Sequence, residues 1–186
     1  MQITETLYIT SRDEWRAWLQ ENHNAKDEIW LVSYRKDTGR TSLPYNVAVE
    51  EALCFGWIDS IRRTIDDEKY AQRFTPRKPG SGYSQTNKER LARLAAEEKL
   101  IEEVQHELKD NRPEDYELPQ DIVAALKSKD AAWEFFKTTS PSYQRIRVAY
   151  VDAARQRPGE FEKRLNNLIH KSASGQQFGY HIEDFY

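Results

Sequence analysis

The sequence predicts an α+β fold: a small, mainly antiparallel sheet of about four strands packed with helices, followed by a module of short helices. Three observations predict it. β-Branched and aromatic stretches bounded by turn residues occur at residues 28–36, 57–65 and 70–77. Ser/Thr-x-x-Glu capping boxes open helical periodicity at residue 11 and again at residue 86. Beyond residue 121 the pattern is helical.

Taken in order, Leu7 and Ile9 mark a short first strand. Ser11 and Glu14 cap a helix over residues 11–22, in which Trp15, Trp18 and Leu19 at i, i+3 and i+4 put two indoles on one face. Glu28 to Lys36 reads as a strand, and Asp37-Thr38-Gly39 as the turn after it. A second helix is expected from Ser42 to Phe55. Pro44 is tolerated in its first turn, where no N–H bond is lost, and Gly56 stops it. Residues 57–65 and 70–77 form an arginine-rich hairpin about Asp66-Asp67, and Pro79-Gly80-Ser81-Gly82 is a loop. Thr86 and Glu89 open a third helical span, 84–108, carried on by Leu91, Leu94, Ile101, Val104 and Leu108.

From Glu97 to Asp121 there are ten acidic residues against three basic ones, punctuated by Pro113 and Pro119. That composition predicts a linker. The expected division is an α+β domain at 1–110, an acidic linker at 111–121 and a helical module at 122–186. Ser140-Pro141 is an N-cap followed by Pro at the first helical position, and Pro158 starts the last helix. Pro141 to Lys171 carries seven basic residues against three acidic, so the acidic span can lie against it. The tail from Gly175 holds Phe178, Tyr180, Phe185 and Tyr186, which favours docking over a free end.

Composition excludes several function classes. A net charge of −3 gives no general pull toward nucleic acid or anionic membrane. No apolar run approaches the ~20 residues of a membrane helix. One cysteine, Cys54, permits no internal disulfide, and the first residues lack a signal-peptide pattern. A cytoplasmic protein is expected. His23, His106, His170 and His181 show no ligand spacing, so no metal is expected, and no nucleotide or hydrolase motif implies a cofactor.

The candidate ligand residues lie around the hairpin: Trp57, Asp59, Arg62, Arg73, Thr75, Arg77, Ser84 and Asn87. Alternation puts Arg73, Thr75 and Arg77 on one strand face, where two guanidinia flanking a hydroxyl suit a phosphate or carboxylate. The competing reading is a solvated face with cross-strand pairs to Asp59 or Asp66. Cys54 sits near a helix C-terminus close to carboxylates, a setting that raises a thiol pKa and favours a structural cysteine over a nucleophile. Glu50 and Glu51 are adjacent on a helix and so point about 100° apart, which does not make a shared acid/base face.

The run Ala48-Val49-Glu50-Glu51-Ala52-Leu53-Cys54-Phe55-Gly56-Trp57-Ile58-Asp59 resembles the bacteriocin-protection, YdeI/OmpD-associated family. So do Gln72-Arg73-Phe74-Thr75-Pro76-Arg77 and Ser84, Asn87 and Arg90, and downstream Pro119-Gln120-Asp121, Ala125-Leu126, Phe135 and Ser140-Pro141-Ser142. The sequence departs from the family pattern at Pro44 and Val47, where a capping pair is lost, and at Phe161 and Glu162 in the last helix. The resemblance implies a role in resistance to envelope-directed toxins or peptides, and brings no catalytic residue or substrate.

Three functions are expected in turn. The first is a stress- or resistance-linked binding protein for an anionic small molecule or peptide carboxylate. The second is an interaction module meeting a protein partner, or less readily nucleic acid, through the basic C-terminal helices. The third is an enzyme using Glu51, Cys54 or Asp59.

Overall fold

Four strands form one sheet in the order β1-β2-β4-β3. β1 (Thr6–Leu7) runs parallel to β2 (Ile29–Tyr34), while β4 (Lys69–Pro76) lies antiparallel to both β2 and β3 (Trp57–Thr64). Among the described residues, one four-stranded sheet and eight helices make up the α+β composition the sequence predicts. The structure is a computed structural model describing residues 2–78 and 80–186; Met1 and Pro79, the latter in the predicted loop, lie outside the described residues.

The chain divides into two compact units. The first comprises Met1–Gly82 and Arg90–Asp110; the second comprises Tyr83–Glu89 and Asn111–Tyr186. The chain thus crosses between the units at 82/83, 89/90 and 110/111, and the short segment Tyr83–Glu89 goes with the second unit.

In the first unit, α1 (Arg12–Asn22) starts with the expected capping box: Ser11 accepts from the Glu14 N–H at 3.3 Å, and Glu14 accepts from the Ser11 N–H at 3.1 Å. Trp15 and Leu19 are fully buried, and the Trp15 indole donates to the Ala48 carbonyl at 2.9 Å. Trp15 stacks on Trp18 and meets Phe74 edge-on, and Trp18 meets Trp57 edge-on. These rings pack α1 and α2 (Tyr45–Cys54) on one face of the sheet.

α2 starts three residues later than expected. Ser42 does not cap it, because its hydroxyl accepts from the Tyr34 N–H at 2.8 Å and so serves the end of β2. Pro44 itself is the N-cap. Gly56, at φ +71°, ends the helix as expected, its N–H donating to Leu53. The hairpin turn closes on Asp66, which accepts from the Glu68 and Lys69 N–H groups at 2.9 and 3.0 Å.

The expected helical span 84–108 is two helices, α3 (Gln85–Ala96) and α4 (Glu102–Leu108). The break falls at Glu98, which adopts φ +55°, while the Lys99 N–H turns back to Leu94. α3 is capped by Ser84, which accepts from the Asn87 N–H at 3.3 Å, and not by the predicted Thr86 box. Glu89 is drawn off to Arg145 and Gln85.

The second unit is helical: α5 (Gln120–Lys127), α6 (Asp130–Thr138), α7 (Pro141–Asp152) and α8 (Pro158–Ala173). Ser140 caps α7 with Pro141 at its first position. The acidic span is not bare linker. It contains a 3-10 turn at Pro113–Asp115, and buried Pro113 accepts from Gln85 at 2.8 Å. In the tail, Ile182 is buried and Phe178 and Phe185 pack on the helical core, whereas Tyr180 is 85% exposed.

Candidate functional site

Directly paired residues share a sheet face. Phe74, Gln72 and Tyr70 on β4 therefore share theirs with Ile29, Leu31 and Ser33 on β2, and with Asp59, Arg62 and Thr64 on β3. Asp59 and Arg62 are three apart, which strict alternation would put on opposite faces. An irregularity between them shifts the register and brings both onto the helix-bearing face. Arg73 and Thr75 occupy the opposite face.

Beyond the start of α2, the helix-bearing face holds a solvent-open pocket lined chiefly by apolar side chains, Leu31, Leu43, Ala48 and Phe74 among them. Polar groups enter from Ser33, Tyr45, Tyr70 and Gln72. The Tyr45 hydroxyl donates to Asp59 at 2.8 Å. Arg62 lies 4.9 Å over the Tyr70 ring, at the side of this pocket. Arg62 is exposed and forms no ion pair among the described residues, which leaves its hydrogen-bonding fork in solvent.

The other predicted residues are differently employed. Arg73 is ion-paired with Glu28, its Nε at 2.6 Å from the carboxylate, so neither Asp59 nor Asp66 is its partner. Arg77 donates to the Ser81 carbonyl and, at 3.2 Å, to Gly82, with Glu107 at 3.5 Å. It thereby closes the loop after the hairpin. Trp57 is core, its indole donating to the His23 carbonyl at 3.1 Å. Ser84 and Asn87 lie in the second unit, at the start of α3. The predicted set is thus not one site: Asp59 and Arg62 come together, Arg73 and Thr75 lie across the sheet, and Ser84 and Asn87 belong to another unit.

Adjacent to α2 lies a buried charge network that sequence reasoning missed. Glu50 and Glu51 are 4% and 1% exposed. Arg12 bridges both, at 3.0 and 2.6 Å, which reconciles the 100° spread of neighbouring helix positions with a common partner. Arg16 reaches Glu51 at 2.8 Å, and Arg93 pairs with Glu50. Burial opposes the charge on Arg12 and on Arg16, but the bonds to the carboxylates outweigh it and hold both guanidinia above their ordinary value. Arg90 is buried, and burial lowers its pKa, with Glu50, Tyr45 and Asp59 acting in the opposite sense. The signal was present as Arg12/Arg16 at i, i+4 and Arg90/Arg93 at i, i+3, two basic stripes around a Glu-Glu pair.

Cys54 is fully buried, and burial followed by the nearby Glu51 pushes its pKa up to about 11. The thiolate needed for attack is a minor form at neutral pH. Native protein should resist iodoacetamide through pH 8.5 and label only when denatured; rapid native labelling would overturn this burial. The unfolded thiol releases its proton near 9.0 and the folded one near 11. Unfolding therefore releases a proton between those values, and stability should fall as pH rises through that window, as chemical denaturation at pH 8 and pH 10.5 would show.

In the second unit, three arginines of the basic stretch are ion-paired: Arg145 with Glu89 at 2.6 Å, Arg155 with Asp121 at 2.8 Å and Asp152 at 2.7 Å, and Arg164 with Glu160 at 2.7 Å. Among the described residues, no helix is long and apolar enough to cross a membrane.

Comparison with known proteins places these two regions in two family models. Residues 7–107 match a domain of unknown function (DUF8412), and residues 115–175 match the family described as bacteriocin-protection, YdeI or OmpD-associated. No curated protein and no solved structure matches the chain. The paired strands, the buried Glu50–Glu51 network and the pocket thus fall within the longer match, and α5 to α8 within the shorter, which is similar to the bacteriocin-protection, YdeI or OmpD-associated family; the longer match spans more than half of the chain, and the chain belongs to the DUF8412 family.

Proposed function

We propose that the protein is a binding protein for a small molecule with an apolar body and an anionic head, acting in the resistance role that the description of its second family names. The body lies in the pocket on the helix-bearing sheet face, and the head meets Arg62. The observation that carries this reading is an exposed guanidinium without an ion pair, stacked on Tyr70 beside an apolar pocket. Guanidinium binds carboxylate or phosphate in two-pronged fashion, and the pocket supplies apolar burial. The arginine-hairpin reading is thereby kept, with Arg62 in place of Arg73 and Arg77, whose forks are engaged by Glu28 and by the 81–82 carbonyls. Asp59 is held by Tyr45 and sets the polar edge of the pocket.

The test is a thermal-shift screen of aromatic and aliphatic carboxylates, followed by calorimetry on Arg62→Ala. The expected result is a ligand whose affinity falls by more than about tenfold in the variant, about 1.4 kcal/mol or more, at unchanged stability without ligand. Unchanged affinity in Arg62→Ala, or a library without a single binder, would overturn it.

A further inference from the structure

Asp59 puts a second charge at the edge of the pocket that Arg62 flanks. Its side chain is half-buried on the helix-bearing sheet face, which Arg62 shares. Each charge is held on a wall of the same pocket. Asp59 accepts from the Tyr45 hydroxyl at 2.8 Å, Arg62 lies 4.9 Å over the Tyr70 ring, and Tyr45 and Tyr70 both line the pocket. Asp59 faces Phe74 and Arg62 faces Gln72, two positions apart on β4. The irregularity in β3 therefore leaves the two residues only about 7 Å apart along the strand, instead of the about 10 Å of three regular steps.

A purely anionic head on Arg62 would have the Asp59 carboxylate as its neighbour, and like charges so placed repel. Tyr45 donates to one carboxylate oxygen, Oδ2, but a single hydrogen bond does not cancel a full charge. Asp59 forms no ion pair among the described residues. The buried Arg90 feels Asp59, but less than it feels Glu50 and Tyr45. A carboxylate accepts at both oxygens, so Asp59 has capacity for a cationic donor. The pocket itself is small: about 350 Å³, open solvent included, at the low end for ligand clefts. That space suits one apolar side chain.

We propose that the ligand of this pocket is a free α-amino acid with an apolar side chain. Its carboxylate meets Arg62, its ammonium meets Asp59, and its side chain lies among Leu31, Leu43 and Phe74. The inference rests on the pocket reading above and narrows it from an anionic head to a zwitterionic one. An α-amino acid carries both charges on a single carbon, and Asp59 and Arg62 offer the two opposite charges on one sheet face. Both contacts are charge-assisted hydrogen bonds. Tyr45 is a positioning residue, which fixes Asp59 through Oδ2 and leaves Oδ1 for the ammonium.

The experiment is calorimetry on the full chain with L-phenylalanine, L-leucine, N-acetyl-L-phenylalanine and L-phenylalaninamide. Both amino acids should bind. The acetyl compound lacks the ammonium and the amide lacks the carboxylate. Each should bind more weakly than phenylalanine by about tenfold or more, the worth of a hydrogen bond to a charged group. Asp59→Asn keeps an acceptor for Tyr45, and in that variant phenylalanine should bind no better than its acetyl derivative. Acetylphenylalanine binding the wild type as tightly as phenylalanine would overturn the inference and leave the pocket reading intact. So would phenylalanine binding unchanged in Asp59→Asn. The amide binding as tightly as phenylalanine would overturn both, because Arg62 would then have no part. If neither amino acid binds, the inference falls, and the pocket reading falls with it only where the carboxylate screen is also empty.

Discussion

Replacing Glu51 by alanine should lower the unfolding free energy by about 3 kcal/mol, at the low end of what is lost when one partner of a buried ion pair is removed. Glu51 is 1% exposed and accepts from both Arg12 and Arg16. Its loss leaves two guanidinia with a donor each unmatched, and opens space beside Cys54. The low end applies because the side chains of Arg12 and Arg16 are 35% and 34% exposed, so water recovers part of their solvation. Glu51→Gln keeps the shape and loses the charge, and should fall between alanine and wild type. Urea denaturation of the three proteins checks the order. A loss under about 1 kcal/mol for Glu51→Ala would mean that the network behaves like a surface pair.

Trp15→Ala should cost more, about 4 kcal/mol, within the range for emptying a large aromatic site. Trp15 has no exposed surface, stacks on Trp18, meets Phe74 edge-on and donates to the Ala48 carbonyl at 2.9 Å. Alanine removes the ring and its N–H donor, so the Ala48 carbonyl keeps only its partner within α2. Trp15→Phe separates the two contributions, since it retains much of the ring and loses the donor. It should recover more than half of the loss. Equal destabilisation by Phe and Ala would assign the effect to the hydrogen bond alone.

The contrast between these residues shows what the sequence could and could not reveal. Trp15, Trp18 and Leu19 at helical spacing announce a buried face, and Ser11 with Glu14 announces where the helix starts. Both patterns are local, and both are found in place. The hairpin and its Asp66 turn were legible for the same reason. The site was not, because it depends on a register shift between Asp59 and Arg62 that no residue type in the strand signals. Strict alternation pointed to Arg73 and Arg77, whose partners Glu28 and Glu107 lie 45 and 30 residues away in sequence. The Glu50–Glu51 network was hidden likewise: its arginines come from α1 and α3, and only the fold shows which of the chain's 28 basic residues they are. Glu89 misled in the same way, matching a capping box in sequence while its carboxylate answers Arg145 in space.

That last pair bears on how the two family segments can be separated. Tyr83–Glu89 lies inside the stretch matched by the first family yet folds with the second unit. Gln85 holds the Pro113 carbonyl, and Glu89, 4% exposed, accepts from Arg145 twice, at 2.6 and 2.9 Å. A gene fragment that begins at residue 111 would encode every helix of the second segment and still lack the acid that Arg145 answers. Grafting that segment onto another protein means supplying seven residues from upstream of the cut, so that the unit inherited in evolution and the unit that can be transplanted have different borders.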